Sequence, residues 1–478
     1  MRIIYKQCTV LNAVNNSRRF LLYALVCSVM SCTVGKKYEQ PTLDLPAQYR
    51  NEAITADSLS LGEIPLHHFF SDPGLRTLID STINRNYDLQ LAVKNIEMAN
   101  QLVLQSKQGY IPEINAQISA GSTRFSENSV NGNLGFTHIE NYSAGIGLSW
   151  EADIWGKVKL NKQAALANYL QSGEVKKAIQ TRLVAEVAQG YYNLLSLDEQ
   201  LKVSEKNLLL RDSTVRILRL QYNAGQVTAL AVQQADAQKQ SAALLVPALQ
   251  QEIAIQENAL RVLSGELPSA ISLMASIRDF NVPEQISAGI PADMVRFRPD
   301  VRANELALQS ANARVGIAQA NMYPSFVITA SGGLNSLLFS SWYSIPASLF
   351  GILNGAITQP IFKRRELKTA FEIAKIEREK SVISFRQSVL FAVEEVSNAI
   401  VSVEKLRIQS EIASARADTL QNVTLNAMLL FKSGMANYLD VVTAQATALQ
   451  SQLDVVDIKR RQISAYVELY RSLGGGWQ

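Results

Sequence analysis

The sequence predicts a duplicated α+β architecture, each half contributing a β-hairpin and long helices, and three observations predict it. The first is internal repetition. Tyr87-Asp88-Leu89 through Ile118-Ser119-Ala120-Gly121 matches Pro299-Asp300-Val301 through Ala330-Ser331-Gly332-Gly333 without a gap, pairing Asp88 with Asp300, Ala99 with Ala311 and Pro112 with Pro324 at an offset of 212 residues. Downstream, Gln221-Tyr222-Asn223-Ala224-Gly225 with Leu230-Ala231-Val232 matches Leu430-Phe431-Lys432-Ser433-Gly434 with Leu439-Asp440-Val441 at an offset of 209. Such a period far exceeds the roughly 20 to 50 residues of a solenoid repeat, so one unit occurs twice. The second observation is two-residue alternation after Pro112 and Pro324, and the third is a proline-free helical stretch from Gly156 to Leu245.

The 478 residues, 47% hydrophobic and 18% charged, have the composition of a folded protein with room for two or three domains. A net charge of +4 with interspersed signs is too mild for a nucleic-acid surface. At the N-terminus, Arg2, Lys6, Arg18 and Arg19 precede an apolar run from Phe20 to Met30, long enough for a signal-peptide core and too short to span a membrane. The run ends in Val29-Met30-Ser31-Cys32, which resembles a bacterial lipoprotein box. Cys8, Cys27 and Cys32 are the only cysteines, so cleavage before Cys32 leaves one thiol and no intrachain disulfide. We therefore read 1–31 as a lipoprotein signal peptide and Cys32 as the lipidation site, followed by an acylated tether over 32–66 that carries Pro41, Pro46 and Pro65. An ordinary secretory signal is the alternative.

The first repeat covers 67–267. Asp72 at an N-cap and Pro73 at the first helical position open a helix expected to run to about Gly109. In the hairpin, 113–153, Ile114, Ala116, Ile118 and Ala120 alternate with Asn115, Gln117 and Ser119, and Tyr142, Ala144, Ile146, Leu148 and Trp150 alternate with small or polar residues. Two strands of about ten residues joined by a polar connection fit a transmembrane hairpin. The same pattern fits a half-buried hairpin of a soluble sheet. Trp150 and Trp155 suit a membrane interface, where an amphipathic ring is comfortable.

A long helix follows from about Lys157 to Tyr222, roughly 100 Å at 1.5 Å per residue. Val187, Leu194, Leu201, Leu208, Val215 and Tyr222 recur at sevens as one stripe of a coiled-coil seam, with the companion stripe broken by Asp198, Glu205 and Asp212. Gly225 ends this helix and a return helix runs from about Thr228 to Leu263. A linker, 268–291, leads to the second repeat, 292–473, with its hairpin over 325–361, a long helix from Glu366, a turn at Gly434 and a return helix from Tyr438; 474–478 form a tail.

Four strands cannot close a barrel, and an open edge in lipid leaves backbone groups unsatisfied. If the strands span a bilayer, subunits share the barrel: two chains give eight strands with a filled interior, and three give twelve with room for an aqueous pore.

Several motifs then give a resemblance that covers nearly the whole chain. Phe70-Ser71-Asp72-Pro73, Trp150-Glu151-Ala152-Asp153-Ile154-Trp155-Gly156-Lys157, Arg298-Pro299-Asp300-Val301-Arg302-Ala303, Gln359-Pro360-Ile361-Phe362, Tyr438-Leu439-Asp440-Val441 and Leu473-Gly474-Gly475-Gly476-Trp477 resemble the hallmarks of TolC-like outer-membrane factors, in the NodT- or OprM-like lipoprotein branch that serves RND-type pumps. The resemblance implies an α+β membrane protein of four transmembrane strands and long periplasmic helices per chain. It implies a homotrimer whose twelve-stranded barrel is continuous with an α-helical barrel, anchored to outer-membrane lipid. It further implies a periplasmic adaptor (membrane fusion protein) and an inner-membrane RND-type transporter as partners.

By the same resemblance, Gly225 and Gly434 mark helix tips that face the adaptor, and Leu439, Asp440 and Thr443 belong to a periplasmic gate. Many relatives place an acidic residue where Thr443 stands, and here Asp440 follows Leu439 directly. The family's frequent glycine pair after Gln-Pro-Ile-Phe is replaced by Lys363-Arg364-Arg365, which points to lipid headgroups or to the barrel base. No catalytic constellation, phosphate loop or nucleophile elbow is present, and His67, His68 and His138 lack metal-ligand spacing, so neither an enzyme, a cofactor nor a metal is expected. The function implied is a passive exit duct for small molecules in a tripartite efflux system. The alternatives are an exit duct for protein secretion and a non-conducting, lipid-anchored helical spacer.

Overall fold

The computed structural model describes residues 34–43, 46, 49, 61–283 and 297–478; the signal peptide, Cys32 and parts of the tether and linker lie outside them. The longer elements are α1 (Pro73–Arg85), α2 (Tyr87–Gln108), β1 (Glu113–Arg124), β2 (His138–Glu151), α3 (Lys157–Asn223) and α4 (Ala229–Leu263). The second half supplies α5 (Pro299–Ala320), β3 (Ser325–Ser336), β4 (Leu349–Thr358), α6 (Glu366–Lys432) and α7 (Tyr438–Ser472). The chain therefore has an α+β fold of four antiparallel strands and long helices. Among the described residues, no helix is long and apolar enough to cross a membrane.

One unit comprises 97–170 and 305–383 with the start of the tether. Its sheet is an antiparallel meander in the order β1-β2-β3-β4. Register places Ile114 opposite Leu148, Ala116 opposite Ile146, Ala144 opposite Leu334, and Ala330 opposite Leu353, so apolar side chains line one face across all four strands.

The other unit comprises 42–96, 171–304 and 384–478, and its core is helix on helix. Leu183, Val187, Tyr191 and Leu194 of α3, Val389, Ala392 and Val396 of α6, and Ile463, Val467 and Tyr470 of α7 are buried in it. Buried Asp72 caps α1 by accepting from the amides of Gly74 (2.6 Å) and Leu75 (3.1 Å), and its second oxygen accepts from the Tyr191 hydroxyl at 3.1 Å. Burial and the Asp72 carboxylate push the Tyr191 phenol up, so it stays a neutral donor.

Two expectations need correction. The first helix does not run unbroken to Gly109, because Asn86 adopts ψ 131° and divides α1 from α2. Its side-chain oxygen caps α2 through the amides of Asp88 and Leu89 while its amide donates to the Leu263 carbonyl, so the break is fixed by three hydrogen bonds. The stripe at sevens also fails toward its end: Val187, Leu194 and Val215 are buried, Leu201 and Leu208 only half-buried, and Tyr222 is exposed. Ser204, Asn207, Arg211 and Thr214 are buried there instead.

Duplication persists at the level of single hydrogen bonds. Four helices end in the same αL turn, at Gly225, Gly265, Gly434 and Gly474, each with φ between +69° and +88°. Each is followed by a residue whose amide reaches five residues back, Gln226 to Gln221, Glu266 to Arg261, Met435 to Leu430 and Gly475 to Tyr470, at 2.8–3.0 Å. Arg298 stands where the first repeat has Asn86 and makes the same contact, donating to the Ser472 carbonyl at 3.0 Å. The buried Arg298 guanidinium also holds Asp300 at 2.6 Å and Glu395 at 2.8 Å.

Burial disfavours the charged Asp300, but the Arg298 hydrogen bonds outweigh it and hold the carboxyl below its ordinary 3.8. A carboxylate pKa depressed by folding contributes stability above its unfolded value and loses it as pH falls through the folded one. We expect the thermal midpoint to drop below about pH 4 with a smaller drop for Asp300→Asn, measured by circular dichroism across pH. At the turns, a Cβ on Gly265 or Gly474 meets a backbone carbonyl, Arg85 O or Phe297 O, at 2.6 Å, whereas one on Gly225 meets nothing within 4 Å. Gly225→Ala should therefore cost about 1–2 kcal/mol from its φ alone, and Gly265→Ala distinctly more, read as thermal midpoints of the two variants.

Candidate functional site

The helix ends carrying the predicted tip and gate residues come together in one small core. Val215 and Leu218 of α3, Ala235 of α4, Phe431 of α6 and Val441 of α7 are buried against one another, with Val227 and Tyr438 packed beside them. The Tyr438 hydroxyl donates to Gln234 Oε1, tying the two return helices at their starts. Gly225 and Gly434 sit in the two exposed turns, each with open space where a side chain would be.

The return helices begin with different caps. Thr228 accepts from the Ala231 amide at 3.4 Å. Asn437 accepts from the amides of Leu439 (2.8 Å) and Asp440 (3.1 Å), and Asp440 Oδ2 accepts from the Asn437 amide at 3.0 Å, closing a capping box. Leu439, Asp440 and Thr443 are brought together on one exposed face of α7, opposite buried Val441, Ala444 and Gln445. Leu439 is 56% exposed, so an apolar side chain and a carboxylate lie side by side in water at this end of the chain. The Asn437-to-Asp440 spacing is legible in sequence; the reading above placed Asp440 without its cap.

Behind these turns the helix contacts are polar. Arg211 Nε donates to Asn207 Oδ1 at 2.8 Å, and Nη1 donates to the backbone and side-chain oxygens of Gln238, both at 3.1 Å. The buried guanidinium has no carboxylate partner among the described residues, and burial pulls its pKa down. One turn on, Gln445 Nε2 of α7 donates to Thr214 Oγ1 of α3 at 3.0 Å.

The sheet presents the second candidate surface. One face carries Ile114, Ile118, Ile146, Leu148, Leu334 and Leu353 in register; Ile114, Ile118, Ile146 and Leu353 are at least 60% exposed. The opposite face carries Asn115, Gln117, Ser143, Gly145, Ser149, Thr329, Ser331 and Asn354, interrupted by Val327 and Ile352, with Phe350 lying over Gly145. Tyr142 and Trp150 bound the apolar face on β2, eight residues or roughly 27 Å apart, close to the height of a membrane-facing band.

Aromatic side chains gather at both limits. Trp150 Nε1 donates to Tyr110 O at 3.1 Å, and Trp155 stacks on Tyr323 at 4.8 Å while its Nε1 donates to Pro324 O at 2.7 Å. At the other limit Phe339, Trp342 and Tyr343 cluster around Tyr142 with ring centroids 5.0–6.5 Å apart. Sequence reading missed this second cluster because Phe339, Trp342 and Tyr343 fall in a connection without periodicity. The edge strands β1 and β4 each pair with one neighbour and leave one row of backbone groups free.

Comparison with known proteins follows these features. The chain matches the family described as "Outer membrane efflux protein" over residues 78–266 and 293–475. It is 27% identical over 467 residues to a cation efflux system protein, CusC, of Escherichia coli O6:H1, covering 96% of this chain and 99% of that protein. It is also 27% identical over 470 residues to the toluene efflux pump outer membrane protein TtgF of Pseudomonas putida, covering 96% and 97%. Among solved structures, the open state of the MtrE outer membrane channel of Neisseria gonorrhoeae superposes with a TM-score of 0.84 at 25% identity, covering 94% of this chain and 99% of that one.

The capping box yields a prediction that separates cap from charge. Asn437→Ala should lower stability by about 1 kcal/mol. Asp440→Asn keeps an oxygen able to accept from the Asn437 amide and should lower it by less, with thermal midpoints as the measurement.

Proposed function

The chain belongs to the outer membrane efflux protein family, and from that premise we propose that three copies close one barrel through which small molecules leave the cell. It is the outer-membrane channel of an efflux system and performs no chemistry of its own. The observation that carries the trimer is the four-stranded sheet with one apolar face and two unpaired edges. In lipid those edges must be satisfied, and β4 of one copy against β1 of the next satisfies both. Three copies supply twelve strands, enough for an aqueous interior, where two supply eight and a filled one. The polar, glycine-rich face then lines the duct and the apolar face meets lipid.

The remaining assignments rest on this reading. Residues 1–31 form the signal peptide and Cys32 carries the acyl anchor, followed by the tether to 66, repeats over 67–267 and 292–473 and the linker 268–291 between them. The exposed turns at Gly225 and Gly434 face a periplasmic adaptor, which couples the duct to an inner-membrane RND-type transporter. Leu439, Asp440 and Thr443 narrow the entrance, where three copies of Asp440 would favour cations. Trp150 and Trp155 hold one membrane interface, joined there by Tyr323. Relatives of equal similarity are named for cations and for toluene, so likeness alone selects no cargo. Selectivity in such an assembly is left mainly to the pump.

Mass in detergent and single-channel conductance in a planar bilayer test the proposal together. We expect a trimer with discrete conductance that changes in cation selectivity on Asp440→Asn and rises several-fold in a Leu439→Ser, Asp440→Ala variant. A monomer that stays silent in both wild type and the double variant would overturn the duct in favour of a helical spacer.

A further inference from the structure

The turn between β4 and α6 adds two features, an exposed apolar pair and a left-handed backbone, to the basic triplet, which the sequence assigns to lipid headgroups or to the barrel base. Ile361 is 96% exposed, the most of any large apolar side chain among the described residues, and Phe362 beside it is 84% exposed. Lys363, Arg364 and Arg365 follow, all exposed and none within ion-pair distance of a carboxylate among the described residues. Arg364 and Arg365 have φ of +45° and +68° and are the only non-glycine residues described in the left-handed region. A β-carbon is disfavoured there, and such strain persists where the surrounding structure fixes the backbone, as it does at functional sites.

The turn is anchored beside the aromatic interface. Gln359 Nε2 donates to Met322 O at 3.1 Å, and Lys363 lines a cavity of about 340 Å³ together with Trp155, Tyr323, Pro324 and Pro360. Glu151 and Asp153 line the same cavity, but Glu151 faces Lys157 at 3.3 Å and Asp153 accepts from the amides of Val158 and Lys159. Lys363 is thus its one uncommitted charge among the described residues, and Arg364 and Arg365 add two more. Glu366, in the first turn of α6, is exposed and pairs with none of them.

We propose that Lys363, Arg364 and Arg365 bind the phosphate of an anionic phospholipid at the inner face of the membrane, with Ile361 and Phe362 set among its acyl chains. The inference rests on the reading that the four strands span the bilayer. Two apolar side chains followed by three cations, next to interfacial tryptophan, match the layering of chain, headgroup and water. Each cation near an anionic surface shifts partitioning about five-fold, so the preference is for a charged headgroup over a zwitterionic one. The basic side chains hold it, and the strained backbone aims them.

The test uses the full mature chain in mixed micelles of phosphatidylglycerol and phosphatidylcholine, followed by gel filtration and quantitation of the retained lipid. The wild type should retain phosphatidylglycerol roughly 25-fold over its micellar share, about what two such cations provide. An R364G/R365G variant suits the local φ and cannot misfold for want of it; together with Lys363→Ala it should erase the preference at unchanged size and helix content. An unchanged preference would overturn the proposal, and loss of the trimer with lipid retention intact would assign the turn to a contact between copies. Vesicle flotation keeps the two readings apart: a chain that does not insert into vesicles refutes the membrane strands and this inference together, and one that inserts without a headgroup preference refutes this inference alone.

Discussion

A strand edge in hydrocarbon has no water to turn to, and the outer edges of β1 and β4 have no strand partner among the described residues. Most of what the chain does follows from that deficit. A soluble sheet of this size blunts its edges with charge or covers them. Here β1 and β4 carry isoleucine, alanine, leucine and glycine out to their edges, and in the proposed trimer the covering comes from further copies. Register propagates the consequence inward, because one shared apolar face across β1 to β4 would fix, in the proposed barrel, which side meets lipid and which side meets water.

Much of the chain's secondary structure is legible in its sequence. Strand alternation after Pro112 and Pro324 is a period-two signal with one partner per residue, and it located all four strands. The long helices were equally clear, since glycine at Gly225 and Gly434 ends a pattern that no proline interrupts. What escaped is what periodicity does not encode. Asn86 interrupts a helical pattern through a side chain whose second contact, the Leu263 carbonyl, is remote in sequence. Leu201, Leu208 and Tyr222 sit at sevens yet leave the core, because Asn207, Arg211 and Thr214 satisfy one another and their neighbours in the seam, and a count of apolar residues cannot see a polar contact.

Duplication explains a further part of the architecture. The same αL glycine ends four helices, yet its surroundings differ by role: at Gly265 and Gly474 the turn presses on a neighbouring carbonyl, while at Gly225 and Gly434 it opens to solvent. One inherited backbone solution therefore serves as a packed joint at one end of the return helices and as an exposed tip at the other. The two tips have since diverged, with a single threonine cap on one and a reciprocal asparagine–aspartate box on the other. The Arg211 cluster adds a polar layer behind them, where alternative acceptors are available to a helix that shifts.

The free edges also set an order of events in time. If three copies close the barrel as proposed, a newly exported copy carries two unpaired strand rows and an apolar sheet face into water, the state in which chains template one another indiscriminately. Ring closure removes both edges at once, whereas any open intermediate keeps two however many copies it has gathered. Biogenesis of the proposed ring is then a race between cyclisation and open-ended polymerisation, and an acyl anchor at Cys32, if present as proposed, would tilt it toward the ring by confining copies to one membrane surface and raising their local concentration.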